Sequence, residues 1–229
     1  MSWREFWDGE HAIYVNARHR RLHFETIANE VAAFIPAPDA FVLDYGCGDA
    51  LAAALLAAKC GCLYLYDGAP KIEAALRRRY GAAEKIVVLS EDALKALPDG
   101  SLDLFICNSI FQYLSREECR AIVAFAAKKL KLGGRILVGD VIPPHADTIA
   151  DSLALLDFAY RGGFFLAALR GLILTFFSKY RRLRTRVGLT TFAIPEMQRL
   201  LSTEGFEARR VEQNIGHNRA RMTFIGKRV

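Results

Sequence analysis

Long apolar runs are missing from this sequence. No uninterrupted stretch among its 229 residues approaches the roughly 18 to 20 needed to span a bilayer. The start, Met1-Ser-Trp-Arg-Glu, lacks the apolar core of a secretory signal. Both absences lead to the expectation of a cytoplasmic protein. Cysteines are few and odd in number: Cys47, Cys60, Cys62, Cys107 and Cys119. Their spacing fits no zinc pattern, since Cys60-Gly-Cys62 is one residue short of C-x-x-C. Buried thiols in a reducing compartment are expected, with neither a disulfide framework nor a metal. Charge of one sign is also scarce. The formal charge is +6, but Lys179, Arg181, Arg182, Arg184 and Arg186 supply five of the 31 basic side chains. Without them 26 face 25 acidic ones. So small a surplus argues against a broad nucleic-acid surface, although Arg18, Arg20 and Arg21 and the run Arg77-Arg78-Arg79 are also basic.

What is present is apolar and patterned. Hydrophobic residues make up 52% of the chain and mean hydropathy is +0.14, enough for a large core and too much for disorder. The organising stretch is Phe41-Val-Leu-Asp-Tyr-Gly-Cys-Gly-Asp-Ala50. Phe41 to Leu43 suit a buried parallel strand that Asp44 closes. Gly46 and Gly48 then form a turn whose backbone a ligand can approach. Asp49 suits the N-cap of a helix over Leu51 to Lys59. Further strands are expected at Leu63–Tyr66, Ile86–Leu89, Leu102–Cys107 and Arg135–Val141. Helices are expected over Arg21–Phe34, from Pro70 to about Tyr80, and from a Ser115/Glu118 capping box to Leu130. Gly133-Gly134 is expected to stop that last helix. A helix starting at Pro195 and two antiparallel strands, Phe206–Gln213 and Met222–Lys227, finish the chain. Strands alternating with helices predict an α/β fold, a doubly wound, mostly parallel sheet. With no internal repeat and no low-complexity linker, a single domain is expected.

These residues resemble the class I S-adenosylmethionine-dependent methyltransferases. Asp44-Tyr-Gly-Cys-Gly48 looks like the family's first motif, and Asp67 like the acidic end of its second strand. Asp92-Ala93 resembles its adenine-side acidic motif, and Leu102-Asp-Leu-Phe105 its fourth-strand motif. Leu130 to Leu137 looks like the approach to its fifth strand. One departure is Ala50, where many relatives carry a third glycine. The resemblance implies a seven-stranded Rossmann-like sheet with an antiparallel C-terminal strand and a helical lid. It divides the domain into an N-terminal helical cap (1–35), a cofactor-binding core (36–144), a helical insertion (145–190) and a C-terminal helix and strand pair (191–229). It implies S-adenosyl-L-methionine as cofactor, with Asp44, Tyr45, Gly46, Cys47, Gly48, Asp67, Gly68, Asp92, Ala93 and Asn108 around it. Asp67 suits the ribose hydroxyls and Asp92 the adenine amino group; Ala93 offers its backbone amide to the ring. Taken singly, Asp44 and Asp67 also read as helix caps and the glycines as a plain turn. A nicotinamide-dependent oxidoreductase is the main rival, but its fingerprint places a small residue where Leu51 stands. A noncatalytic membrane-associated ligand-binding protein of the same fold is a third reading.

The resemblance carries the acceptor side less far. Methyl transfer needs a general base only when the acceptor must lose a proton. Tyr14, His19 and His23 precede the first strand and are candidate catalytic or acceptor-side residues, with Arg18 as a donor-carboxylate contact. Tyr113, Asp140 and His145 are further candidates on the same rim. The family's nucleic-acid enzymes that methylate amino groups use Asn/Asp-Pro-Pro-Tyr, and Val141-Ile-Pro-Pro144 is no substitute. A small-molecule acceptor is therefore expected. The inserted apolar residues Phe164, Phe165, Leu166, Leu169, Leu172, Ile173, Phe176 and Phe177 read as an acceptor-pocket lid or as a core helix. With the basic run behind them, residues 163–186 also read as a peripheral membrane contact.

Overall fold

A computed structural model describes residues 14–146, 148–176 and 188–229. The N-terminal aromatics Trp3, Phe6 and Trp7, Phe177 and the basic run from Lys179 to Arg186 lie outside the described residues. The elements run α1 (Ala17–Ala32), β1 (Phe41–Tyr45), α2 (Ala53–Ala57), β2 (Cys62–Tyr66), α3 (Pro70–Tyr80), β3 (Ile86–Val88), α4 (Glu91–Ala96) and β4 (Leu102–Asn108). A 3₁₀ turn (Phe111–Tyr113) leads to α5 (Arg116–Lys129), β5 (Leu130–Val141), α6 (Thr148–Gly162) and α7 (Phe165–Phe176). Then come α8 (Ile194–Thr203), β6 (Phe206–Arg210) and β7 (Met222–Arg228). The seven strands stand in the order β3-β2-β1-β4-β5-β7-β6. Pairs among β1 to β5 are parallel, and β7 runs antiparallel to both β5 and β6.

The alternation of strand side chains divides the core. Val42, Leu104, Ile106, Leu137 and Ile225 face a layer built from α1, α2 and α3, which includes Ala28, Val31, Leu56 and Leu76. Leu43, Phe105, Cys107, Ile136, Val138 and Phe224 face the opposite layer, with Leu94, Val123, Ala126, Met197 and Leu201. A sheet covered on both faces needs apolar residues at successive positions, hence the unbroken runs in β1 and β4. Each fully buried Leu, Ile or Phe contributes about 1.5–3 kcal/mol. Local signals agree with this packing. Pro70 opens α3, and α5 begins with the Ser115–Glu118 capping box, Glu118 N donating to Ser115 Oγ at 3.2 Å and Ser115 N to Glu118 Oε2 at 2.7 Å.

Several expected boundaries move. The helix after the glycine turn covers only Ala53–Ala57, and its cap, Ala52, makes no side-chain bond. Asp49 is no cap, because its carboxylate turns to Arg20. Gly133-Gly134 does not separate α5 from β5: the helix ends at Lys129 and the strand starts at once. The glycines sit where pairing with β4 slips between Leu102 and Leu104. A Cβ on Gly134 would come within 2.9 Å of the Lys131 carbonyl. β6 ends at Arg210 rather than at Gln213.

Candidate active site

The switch point lies between β1 and β4, whose neighbours were laid down in opposite directions from β1. In open parallel sheets ligands bind beyond the strand ends at such a point. Gly46 and Gly48 turn here with φ of +74° and +56°. A Cβ on Gly46 would meet Ile110 Cγ2 at 2.6 Å, so this glycine lets the turn close on the β4 loop. A Cβ on Gly48 would enter open space. Ala50 also takes a left-handed conformation, φ +41°. That is the position where a third glycine was missed, and Tyr80 holds it by donating to its carbonyl at 2.6 Å.

Two carboxylates flank the turn. Asp67 accepts from Gly48 N and from Ala69 N, both at 2.9 Å and each to a different oxygen. Each oxygen keeps a second lone pair, a suitable arrangement for two neighbouring hydroxyls. Burial raises the Asp67 pKa and the two amides pull it back. Asp44 closes β1 with no hydrogen-bond donor to its carboxyl among the described residues; burial, then the charge on Asp67, push it up to about 7. A half-buried acid without a donor has room for a cationic or donating partner. Tyr45 stacks between Tyr66 and Phe105, with centroids 5.0 and 5.5 Å away. The Cys47 thiol is buried and held well above its ordinary pKa. Gly68 is exposed beside Asp67. Asp92 is exposed in the first turn of α4, and the Ala93 amide donates to the Ser90 cap at 3.3 Å.

Asn108 ends β4, its Nδ2 donating to Ser109 Oγ at 3.1 Å and its buried Oδ1 without a partner among the described residues. Beyond it lies a network that the sequence did not announce. Ser109 Oγ donates to Asp140 Oδ2 at 2.9 Å, and Arg221 Nη1 donates to the same oxygen at 2.8 Å. Arg221 also reaches Gln112 and Asp151. Burial raises the Asp140 pKa while Arg221 opposes it. Of the other rim candidates, His145 is exposed and Tyr113 belongs to the 3₁₀ turn.

The segment before β1 assembles a vault of rings. Asn16 caps α1 by accepting from His19 N at 2.8 Å. The Tyr14 ring lies 5.4 Å from His19 and 5.5 Å from His23. His19 stacks on Phe164 at 5.0 Å, and its Nδ1 accepts from Val15 N at 3.3 Å, which leaves the proton on Nε2. Burial, then His217, lower the His19 pKa to about 4 and that of His23 to about 3. The Tyr14 pKa is raised, first by burial and then by the charge on Asp49. Arg18 lies elsewhere: its Nε donates to the Gly162 carbonyl at the end of α6, 2.5 Å away. Arg20 is the arginine beside the turn, with Nη2 2.5 Å from Asp49. The insertion packs Ala159, Phe164 and Ala168 against Val15, Leu22 and Phe158. Phe165, Leu166 and Leu169 face outward instead, as do Leu153 and Tyr160. A shallow depression of about 430 Å³ at the start of α7 is lined by Asn16 and by residues 163–167.

Residues 42–134 match the family model described as a methyltransferase domain. Over these residues the chain carries a methyltransferase domain, and its likeness is to the class I S-adenosylmethionine-dependent methyltransferases. The chain is 30% identical over 113 residues to ribosomal protein L11 methyltransferase of Burkholderia cenocepacia, covering 49% of the chain and 36% of that protein. It therefore spans about a third of the length of the curated relatives it matches. Its fold is that of magnesium protoporphyrin IX methyltransferase from Synechocystis PCC 6803, solved with S-adenosylmethionine bound. The TM-score is 0.60 at 16% identity, over 99% of this chain and 89% of that one. The pyocyanin biosynthetic protein PhzM gives 0.62 at 13% identity, over 100% and 62%.

Proposed function

We propose that this chain binds S-adenosyl-L-methionine and transfers its methyl group to a small lipophilic acceptor beneath α6 and α7. The observation that carries the reading is the pair of carboxylates beside an open glycine turn at the switch point. Asp67 has both oxygens anchored by amides and a free lone pair on each, and Asp44 has no donor. The bound cofactor supplies an electrophilic methyl group on a positively charged sulfur. The chain's own residues do the rest. Asp67 receives the ribose hydroxyls, and Asp44 offers its charge to the cationic end of the ligand. Gly48 leaves room for the ligand against the backbone. The ring vault excludes water and holds the acceptor near the donor, which accounts for much of the acceleration in a displacement of this kind. The turn holds no lysine between Asp44 and Ala50, in keeping with a ligand that carries no phosphate.

The apolar walls support a lipophilic acceptor: Phe158, Phe164 and Tyr14 meet His19, and Tyr14 and Phe24 meet His23. Incubating the enzyme and a heavy-methyl donor with a small-molecule cell extract, followed by mass spectrometry, identifies the acceptor. Labelling confined to protein or RNA in a whole extract overturns the small-molecule reading.

A peripheral membrane contact through 163–186 is a second reading. Its support is the outward placement of Tyr160 (77% exposed), Leu166 (80%) and Leu153 (60%) on the insertion, next in sequence to the cations of Lys179 to Arg186. Apolar side chains beside a cationic flank suit an anionic lipid surface. No helix among the described residues is long and apolar enough to cross a membrane.

A further inference from the structure

The connection between β6 and β7 is fixed more heavily than two antiparallel strands require. Asn214 Oδ1 accepts from Asp140 N at 3.1 Å and from Thr223 Oγ1 at 2.8 Å, and its Nδ2 donates to the Asn218 carbonyl at 2.9 Å. Ile215 N donates to Thr223 Oγ1 at 2.9 Å. Glu30 on α1 receives Gly216 N at 2.6 Å and Arg219 Nη2 at 2.7 Å. Asn218 Nδ2 donates to Asp151 on α6 at 2.6 Å. Asn214 and Asn218 are buried, so their own bonds are made in place of water. The loop is thereby tied to the sheet, to α1 and to α6 at once.

One side chain in this loop is left out of the bonding. Among the described residues nothing donates to or accepts from the ring of His217. Instead it lies face to face with Phe158, centroids 5.0 Å apart and planes 20° from parallel. It also meets His23 edge-on at 6.1 Å. Gly216, at φ +92°, turns the chain so that the ring enters the vault. We infer that His217 is an acceptor-contacting catalytic residue, taking the proton from a neutral hydroxyl carried on a flat apolar ring. The inference rests on the reading of the chain as an S-adenosylmethionine-dependent enzyme.

The other imidazoles suit the role less well. His19 uses its Nδ1 lone pair on Val15, and His23 is enclosed by the rings of Tyr14, His19, Phe24 and His217. His217 has two ring neighbours. Burial and then the Arg221 guanidinium keep it neutral, with a pKa lowered to about 4. A neutral imidazole has a lone pair to offer. A weak base suffices, because the hydroxyl proton becomes strongly acidic as its oxygen bonds to carbon. In the step, the acceptor oxygen bonds to the methyl carbon and the carbon–sulfur bond breaks, its electron pair staying on sulfur. The hydroxyl proton passes to the imidazole nitrogen and then to water. The surrounding aromatic faces favour a planar phenol over an aliphatic alcohol.

The test uses the full chain with 1-naphthol and catechol as probes. His217→Phe keeps the stack on Phe158 and removes the ring nitrogens. His217→Gln restores an acceptor atom and carries the comparison if the first variant fails to fold. The expected result is S-adenosylmethionine affinity within about threefold of wild type by calorimetry. Naphthol methylation falls about 100-fold in kcat in His217→Phe, with KM little changed and a smaller loss in His217→Gln. A variant lacking the imidazole that turns over at the wild-type rate overturns the assignment. So does a wild-type protein that binds the donor but methylates neither phenol. Absence of donor binding in the wild type overturns the underlying reading instead.

Discussion

Ser109 and Asp140 end neighbouring strands in the same left-handed conformation, φ +60° and +61°, and share a 2.9 Å hydrogen bond. Neither is glycine, so each bears conformational strain of roughly 1–2 kcal/mol. Strain of this kind persists where surrounding bonds over-determine it, and it gathers at functional sites. Here Ser109 N also donates to the Gly139 carbonyl at 3.1 Å. The pair fixes the rim above β4 and β5, from which Arg221 reaches the insertion through Asp151.

Ser109→Ala keeps the strain and removes the bonds to Asn108 and Asp140. It is expected to lower unfolding free energy by about 1–3 kcal/mol. Ser109→Gly loses the same bonds but relieves the backbone, so it should cost less than Ser109→Ala. Urea titration of the two variants gives the order directly, and the reverse order contradicts the strain argument.

The two glycines of the turn should fail in different ways. Gly46→Ala drives a methyl group into Ile110 and should unfold at a clearly lower temperature. Gly48→Ala meets nothing in the protein and should lose only about 1 kcal/mol, for its positive φ. Its added methyl lies where the ligand is proposed to pass, so donor affinity should fall by about tenfold or more. Calorimetry beside thermal melts separates the two effects. The converse change, Ala50→Gly, relieves a left-handed alanine and should be neutral or mildly stabilising.

Asp44 is expected to make donor binding pH-dependent. Its carboxyl is protonated below about 7 in the free protein, and a cationic ligand favours the charged form. Binding below pH 7 must therefore release a proton, and affinity falls by up to about tenfold per pH unit. Titrations at pH 6, 7 and 8 should show affinity rising with pH in the wild type. Asp44→Asn should bind more weakly at pH 8 and lose the slope. A flat wild-type profile places Asp44 outside the ligand's reach.

The half-buried His217 imidazole predicts acid sensitivity of the opposite origin. Its folded pKa, about 4, lies below the ordinary 6.5. Between those values the unfolded chain binds a proton that the folded chain refuses, so stability is lost as pH falls through that window. His217→Phe removes this loss. The stability difference between variant and wild type should shift toward the variant from pH 6.5 to pH 4, by at most about 1.4 kcal/mol per unit. Denaturant titrations at pH 7 and pH 5 measure the shift.

The glycine turn and its flanking acids were legible because their signals are local. A strand, two glycines and an acid lie within Phe41–Gly48, and Asp67 follows one strand later. The Ser115–Glu118 box and Pro70 mark their helices for the same reason. The Asp49 cap failed because a distant group, Arg20, outcompeted the local amides. Arg18 was placed at the donor and instead ties α1 to the Gly162 carbonyl, 144 positions away. Asp140 was named as a rim candidate, but its partners Ser109 and Arg221, and His217, were missed on similar grounds: the Gly216 amide finds Glu30 across 186 positions. In α7, apolar composition announced burial, yet Phe165, Leu166 and Leu169 face outward.

That outward face supports a vesicle assay. Leu166→Ser with Tyr160→Ser should reduce co-sedimentation with anionic vesicles and leave donor affinity unchanged, and neutralising Arg181, Arg182, Arg184 and Arg186 should do the same. Unaltered partitioning in both variants excludes the membrane contact.

Calorimetric titration of the wild type and of Asp67→Ala with S-adenosylmethionine, with NADH as control, tests the account most directly. Saturable heat with the methyl donor alone, weakened at least about tenfold in Asp67→Ala, is the predicted result. Heat with NADH and none with S-adenosylmethionine would contradict it.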